Sequence, residues 1–100
     1  MKATVERGED EVRTQEYDWA CVDIHDSARR HGVADEDIHH AVKNCLAVYP
    51  LEQEDSARFL YLGPNRAGNL LEAVVLEFDD GGRLAIHAMP MLPKYASLLP

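Results

Sequence analysis

A chain of 100 residues has room for one domain with a modest hydrophobic core. Hydrophobic residues make up 46% of it, yet no apolar run approaches the ~20 residues that a membrane-spanning helix needs. The formal net charge of −8, from 10 basic and 18 acidic residues, opposes non-specific nucleic-acid binding, which depends on Lys and Arg neutralising phosphates.

The chain begins with a polar, acidic stretch that has no apolar periodicity. Residues 1–21 are therefore predicted to form a mobile arm ahead of a single domain, residues 22–100. Met1–Arg7 lacks the apolar stretch of a secretory signal, so we expect a cytoplasmic protein. Cys21 and Cys45 belong to no CxxC pair, which favours reduced thiols over a zinc site.

Two helices are predicted to follow the arm and to pack as a helical hairpin. The first covers Val22–His31, where apolar positions recur at spacings of 3 and 4 residues, and Gly32 ends it. The second covers Asp35–Cys45, where three acidic residues in the first turn match the positive end of the helix dipole. The short link through Gly32 indicates a tight connection between the two helices.

The period of the apolar residues then changes to that of β-strands. Four strands are predicted, at Leu46–Tyr49, Arg58–Leu62, Asn69–Phe78 and Arg83–Met89. Turn-forming residues separate them, above all in Gly63–Asn69 and Asp79–Gly82. This order predicts an α+β fold in which the N-terminal helical hairpin packs on a four-stranded antiparallel sheet, with a short C-terminal tail.

The closing hairpin and the tail carry the candidate site. His87 is expected on the more open face of the sheet if Leu84, Ile86 and Ala88 pack under the helices, although one β-bulge would change this order. His87 can transfer protons near neutral pH, or it can be a half-exposed strand residue without a task. Lys94 can stabilise phosphate charge and Tyr95 can stack on a base, or the tail can simply pack on the sheet.

Three arginines and one glutamate are further candidates. Arg66, in a Gly-rich turn, can bind a phosphate through two guanidinium nitrogens, Arg83 begins a strand, and Arg29 lies on the first predicted helix. The alternative for each is a solvated side chain. Glu72 either orients His87 or Arg66, or lies at the solvent end of its strand. The five histidines show no HExxH-type spacing, so neither a metal nor another cofactor is expected.

Three segments carry a family resemblance: Ser27–Val33 with the acidic start of the second helix, Arg58–Gly63, and Leu84–Ala88. In these segments and in element order, over residues 22–95, the chain resembles BrnT-type toxins, which belong to the RelE-like group of toxin–antitoxin endoribonucleases. The resemblance implies a helical pair on a sheet, RNA cleavage without a metal, and a ribbon-helix-helix antitoxin as partner. The resemblance thus gives this antitoxin and RNA as expected partners, and a second copy of the chain is considered separately as a partner.

The resemblance also implies roles for individual residues. Catalysis by attack of a 2′-hydroxyl on the adjacent phosphate would use His87 as acid or base, with Lys94, Arg66 and Arg83 near the developing charge. Tyr95 and Arg29, with Arg83, would bind substrate. The family carries an arginine just after the small residue of its final strand, whereas Met89–Pro93 holds no basic residue. This departure and the acidic balance favour the alternative, a non-catalytic protein-interaction module.

Overall fold

The computed structural model describes residues 22–51 and 57–100, and the predicted arm, residues 1–21, lies outside them. The strands are β1 (Val22–Ile24), β2 (Ala47–Leu51), β3 (Ala57–Pro64), β4 (Leu70–Glu77) and β5 (Arg83–Pro90). The α-helix α1 is Asp35–Lys43, and two 3₁₀ helices cover Asp26–Arg29 and Pro93–Leu98. The described strands form one sheet in the order β1-β5-β4-β3-β2, in which β1 runs parallel to β5 and the other pairs are antiparallel.

The predicted N-terminal helical hairpin is wrong. In place of a helix over Val22–His31, the chain forms β1, followed by a 3₁₀ turn at Asp26–Arg29. Strand pairing with β5 buries Val22, and the side chain of His25 accepts a hydrogen bond from the N–H of Ser27 at the start of the turn. The fold is therefore α+β with a mixed five-stranded sheet and one α-helix in its described part, and not a four-stranded antiparallel sheet under two helices.

The core lies between α1 and one face of the sheet. Ile38 and Val42 of α1 pack with the side chains of β3, β4 and β5 that point toward them, among them Tyr61, Ala73 and Val75. Gly63 permits this close approach, because a Cβ at that position would lie 2.9 Å from the Cα of Cys45 and would press on the backbone of α1. This face is called the helix face below.

The opposite face of the sheet is covered by the C-terminal segment. Leu60 and Leu62, which alternate with Tyr61, are also buried, so the sheet is packed on both sides. The segment is held at one end by a hydrogen bond from the Met91 N–H to the Leu70 carbonyl. At the other end the Tyr49 hydroxyl donates to the Leu98 carbonyl at 2.6 Å. This side is called the tail face below.

A β-bulge in β5 sets which side chains reach the tail face. Val75 pairs with Ala85 and Val74 pairs with His87, so Ile86 is the extra residue. Ala85 and Ala88 both belong to the core of the helix face, and His87 therefore lies on the tail face. None of the helices within 22–51 and 57–100 is long and apolar enough to cross a membrane.

Candidate functional site

A buried carboxylate at the middle of the sheet is the centre of the candidate site. Glu72, on the central strand β4, is 4% exposed, and both its oxygens accept hydrogen bonds. Its Oε2 lies 3.0 Å from Nε2 of His87, and its Oε1 accepts the backbone N–H of Leu92 at 3.0 Å. These two hydrogen-bond donors offset the free-energy cost of taking the carboxylate out of water.

The carboxylate orients the imidazole of His87. Because both oxygens of Glu72 act as acceptors, we assign the ring proton of His87 to Nε2, which leaves the lone pair of the neutral imidazole on Nδ1. Within the described part of the chain, Nδ1 makes no hydrogen bond, and the His87 side chain is 32% exposed. A half-exposed imidazole held by a buried carboxylate is the usual arrangement of a general acid or base.

A second imidazole lies against the first. The rings of His31 and His87 meet edge to face, with 5.6 Å between their centroids and 79° between their planes. His31 follows the first 3₁₀ turn and is exposed. Three titratable side chains, Glu72, His87 and His31, therefore form a continuous row from the interior of the sheet to its surface.

The tail brings the predicted residues Lys94 and Tyr95 to the same face of the sheet as His87. They are the second and third residues of the 3₁₀ helix Pro93–Leu98. This helix follows Leu92, whose N–H donates a hydrogen bond to Glu72. The ammonium of Lys94 lies 5.1 Å from the centre of the Tyr95 ring, a cation–π contact. Lys94 is exposed and Tyr95 is half-buried.

Arg66 makes its contacts at the start of α1. Its Nε donates to Asp37 Oδ1 at 2.8 Å, and its backbone N–H donates to the same oxygen at 3.0 Å. The hydrogen bond from Arg66 lowers the pKa of the Asp37 carboxyl and, in return, the carboxylate raises the pKa of Arg66. This pair ties the β3–β4 turn to α1, so the guanidinium of Arg66 is engaged with a carboxylate.

The other two predicted arginines are engaged as well. Arg29 binds Asp35 through Nε at 2.9 Å and Asp26 through a terminal nitrogen at 2.7 Å, and its hydrogen bond lowers the pKa of Asp35. Arg83 lies on the helix face, where it donates to the Tyr61 hydroxyl and its guanidinium carbon lies 5.8 Å from the centre of the Tyr61 ring. The structure thus brings Lys94 and Tyr95 to the face that carries His87, and it does not bring Arg83 there.

Two residues of the site had weak signals in the sequence. A glutamate in the middle of an apolar strand is unusual, and of the two interpretations for Glu72, orientation of His87 is the one that its contacts support. His31 was not a predicted site residue, because the predicted first helix made it a helix-terminal residue. Its place depends on the 3₁₀ turn and on the bulge, neither of which has a strong local pattern.

The His, Cys, Asp and Glu side chains of the described residues do not form a recognisable metal centre. Among residues 22–51 and 57–100, no three His, Cys, Asp or Glu side chains form a group that could hold a metal ion. Cys45 is a half-buried free thiol, and burial raises its pKa, away from the thiolate form that binds metals.

Comparison with known proteins gives no matching family model, no matching curated protein and no matching solved structure. Any functional assignment therefore depends on the contacts of the site and on the resemblance in the sequence.

Proposed function

We propose that the chain is a toxin-like endoribonuclease of the BrnT type, which cleaves RNA without a metal by attack of a 2′-hydroxyl on the adjacent phosphate. The observation that carries this proposal is the contact between Glu72 and His87. It supplies an oriented, half-exposed imidazole, which is the group that such a reaction needs for proton transfer at neutral pH.

The surroundings of His87 suit a negatively charged substrate on the tail side. Residues 91–100, which follow β5 on this side, contain the basic residue Lys94 and no acidic one, although the whole chain carries −8. The guanidinium groups of Arg66 and Arg83 contact Asp37 and Tyr61, so we assign stabilisation of the phosphate charge to Lys94. Tyr95, in contact with the Lys94 ammonium, is the ring on which a base can stack.

A second candidate function is protein binding without catalysis. The observation that favours it is a groove of about 350 Å³ between β2 and the end of the chain, lined by Leu46–Tyr49 and Ser97–Pro100. Leu46 and Val48 are 52% and 41% exposed there, and in the described part of the chain β2 pairs on one side alone. Exposed apolar surface next to an open strand edge is typical of a docking site, here for an antitoxin or a second copy.

RNA cleavage by purified protein separates the two functions. Defined RNAs are incubated with the wild type, with and without EDTA and ribosomes, and with His87→Ala and Lys94→Ala. We expect cleavage that survives EDTA, a loss of about 100-fold or more for His87→Ala, and a loss of about 10-fold for Lys94→Ala, since one cation near the phosphate is removed. Lys43→Ala, which changes an exposed lysine of α1, is the matched control and is expected to cleave normally.

Circular dichroism of each variant checks that it is folded. Cleavage by none of the forms, with or without ribosomes, contradicts the ribonuclease proposal and favours the interaction module. Cleavage that persists in folded His87→Ala contradicts the assignment of the catalytic residue.

A further inference from the structure

The first 3₁₀ turn is anchored beside the bulge of β5, and this anchoring determines where His31 lies. The His25 N–H donates to the Ala85 carbonyl at 2.9 Å, so the chain leaves β1 alongside β5. The Ser27 hydroxyl donates to the carbonyl of Ile86, the bulge residue, at 2.6 Å, and Ala28 is completely buried. The turn therefore covers the part of the β5 edge that the three-residue strand β1 leaves unpaired.

Contacts on both sides of His31 hold its backbone in this position. The Arg29 side chain forms ion pairs with Asp26, which precedes His31 in the chain, and with Asp35, which follows it. Gly32 follows at φ 79°, a conformation that glycine adopts without strain, and it turns the chain toward α1. The exposed imidazole makes no hydrogen bond with the described residues, and it lies edge to face against the ring of His87. An exposed side chain so placed is not required for the core.

Cleavage by a 2′-hydroxyl needs two proton transfers at different oxygens. A base removes the proton of the 2′-hydroxyl while its oxygen forms a bond to phosphorus, and an acid protonates the 5′-oxygen while its bond to phosphorus breaks. The products are a 2′,3′-cyclic phosphate and a 5′-hydroxyl. Because attacking and leaving oxygens lie on opposite sides of the phosphorus, one imidazole cannot serve both at once.

We propose that His31 is a second catalytic residue and that it forms an acid–base pair with His87, with the scissile phosphate group bound beside both rings. One imidazole of the pair accepts the proton of the 2′-hydroxyl and the other protonates the leaving oxygen. Glu72, buried in the sheet, orients His87 through their hydrogen bond. The first 3₁₀ turn, which Ser27 anchors to Ile86, places His31 at the edge of the sheet. This inference rests on the proposed ribonuclease function and adds a residue to its site.

Substrates that differ in the leaving atom test the pair. A short RNA is prepared with its natural 5′-oxygen at the scissile phosphate, and a second with sulfur in that bridging position. A thiolate leaves without a proton, because a thiol is a far stronger acid than an alcohol. Single-turnover cleavage of both substrates is measured for the wild type, His31→Gln and His87→Gln. Arg30→Gln, at the exposed neighbour of His31, is the control.

We expect both histidine variants to cleave the oxygen substrate about 100-fold or more slowly. Sulfur in the leaving position should restore one of them, the variant that lacks the acid, and should not restore the other. Arg30→Gln should cleave both substrates at the wild-type rate. His31→Asn, a second substitution at an exposed position, should behave as His31→Gln does, with an unchanged melting temperature.

Each other outcome has a distinct meaning. If His31→Gln cleaves at the wild-type rate while His87→Gln does not cleave, the ribonuclease function stands and the inference is overturned. If both variants are slow and sulfur restores neither or both, His31 and His87 do not divide the two proton transfers, and the inference is again overturned. A wild type that cleaves neither substrate refutes the proposed function, and the inference with it.

Discussion

The substitution Glu72→Gln tests whether the buried carboxylate holds the site together. Glutamine has nearly the same shape and can still accept the Leu92 N–H, but it carries no charge and presents an amide to His87. The two hydrogen bonds of Glu72 then become neutral ones. We expect the variant to fold and to be less stable than the wild type.

The size of the effect follows from the two contacts. A hydrogen bond to a charged group contributes about 1.5–3 kcal/mol and a neutral one about 0.5–1.5, so each bond loses about 1 kcal/mol. Part of this loss in the free energy of unfolding is offset, because glutamine carries no charge and the cost of desolvating a buried ion no longer opposes folding. The free energy of unfolding should therefore fall by about 1–2 kcal/mol, which lowers the melting temperature by about 5–15 °C in a domain of this size.

Urea unfolding at pH 7 measures the loss, and hydrogen exchange at the Leu92 amide measures the release of the tail. Asp79→Asn, at an exposed carboxylate of the turn between β4 and β5, is the control and should change stability by less than about 0.5 kcal/mol. If Glu72→Gln is as stable as the wild type and Leu92 exchanges no faster, the charge of Glu72 contributes nothing, and the description of the carboxylate as an anchor for the tail is refuted.

Two further predictions concern the helix layer. Gly63→Ala should lower the free energy of unfolding, measured with urea, by about 3 kcal/mol, because the added Cβ would lie 2.9 Å from the Cα of Cys45. Gly82→Ala is the control and should lower it far less, because the atom nearest to the added Cβ belongs to a side chain. Equal losses in the two variants would contradict this account. Arg66→Met should lower the melting temperature at pH 7, and the difference should vanish as the pH falls through the pKa of Asp37, which the ion pair holds below its ordinary value of 3.8. A difference that persists in acid would show that the ion pair is not its cause.

Local patterns in the sequence predict α1 and the strands β2 to β5. Turn-forming residues and the periodicity of apolar side chains are properties of residues that are close together in the chain, so the sequence alone shows them. They do not predict β1. Three residues suffice for that strand because β5, far along the chain, buries Val22 and accepts the His25 N–H. A spacing that also fits a helix cannot report such a distant partner, and for this reason the predicted helical hairpin was wrong.

The candidate site was partly predictable for the same reason. His87 and Lys94 stand out by residue type, and Glu72 stands out as a charge in an apolar strand. The contacts of Arg66 and Arg29 with aspartates depend on how turns and helices meet in space, which spacing along the chain does not determine. His31 depends on the turn that replaced the predicted helix.

The bulge at Ile86 determines which surface each side chain at the end of β5 occupies. If Ile86 paired with Val74 in a regular ladder, His87 would pair with Ala73 and its imidazole would enter the aliphatic layer beneath α1. Deletion of the Ile86 codon would remove the bulge and still leave His87 opposite Val74, so both surfaces of the strand's end would be preserved. Comparison of future homologues should accordingly treat a one-residue gap at this position as compatible with the same arrangement of side chains.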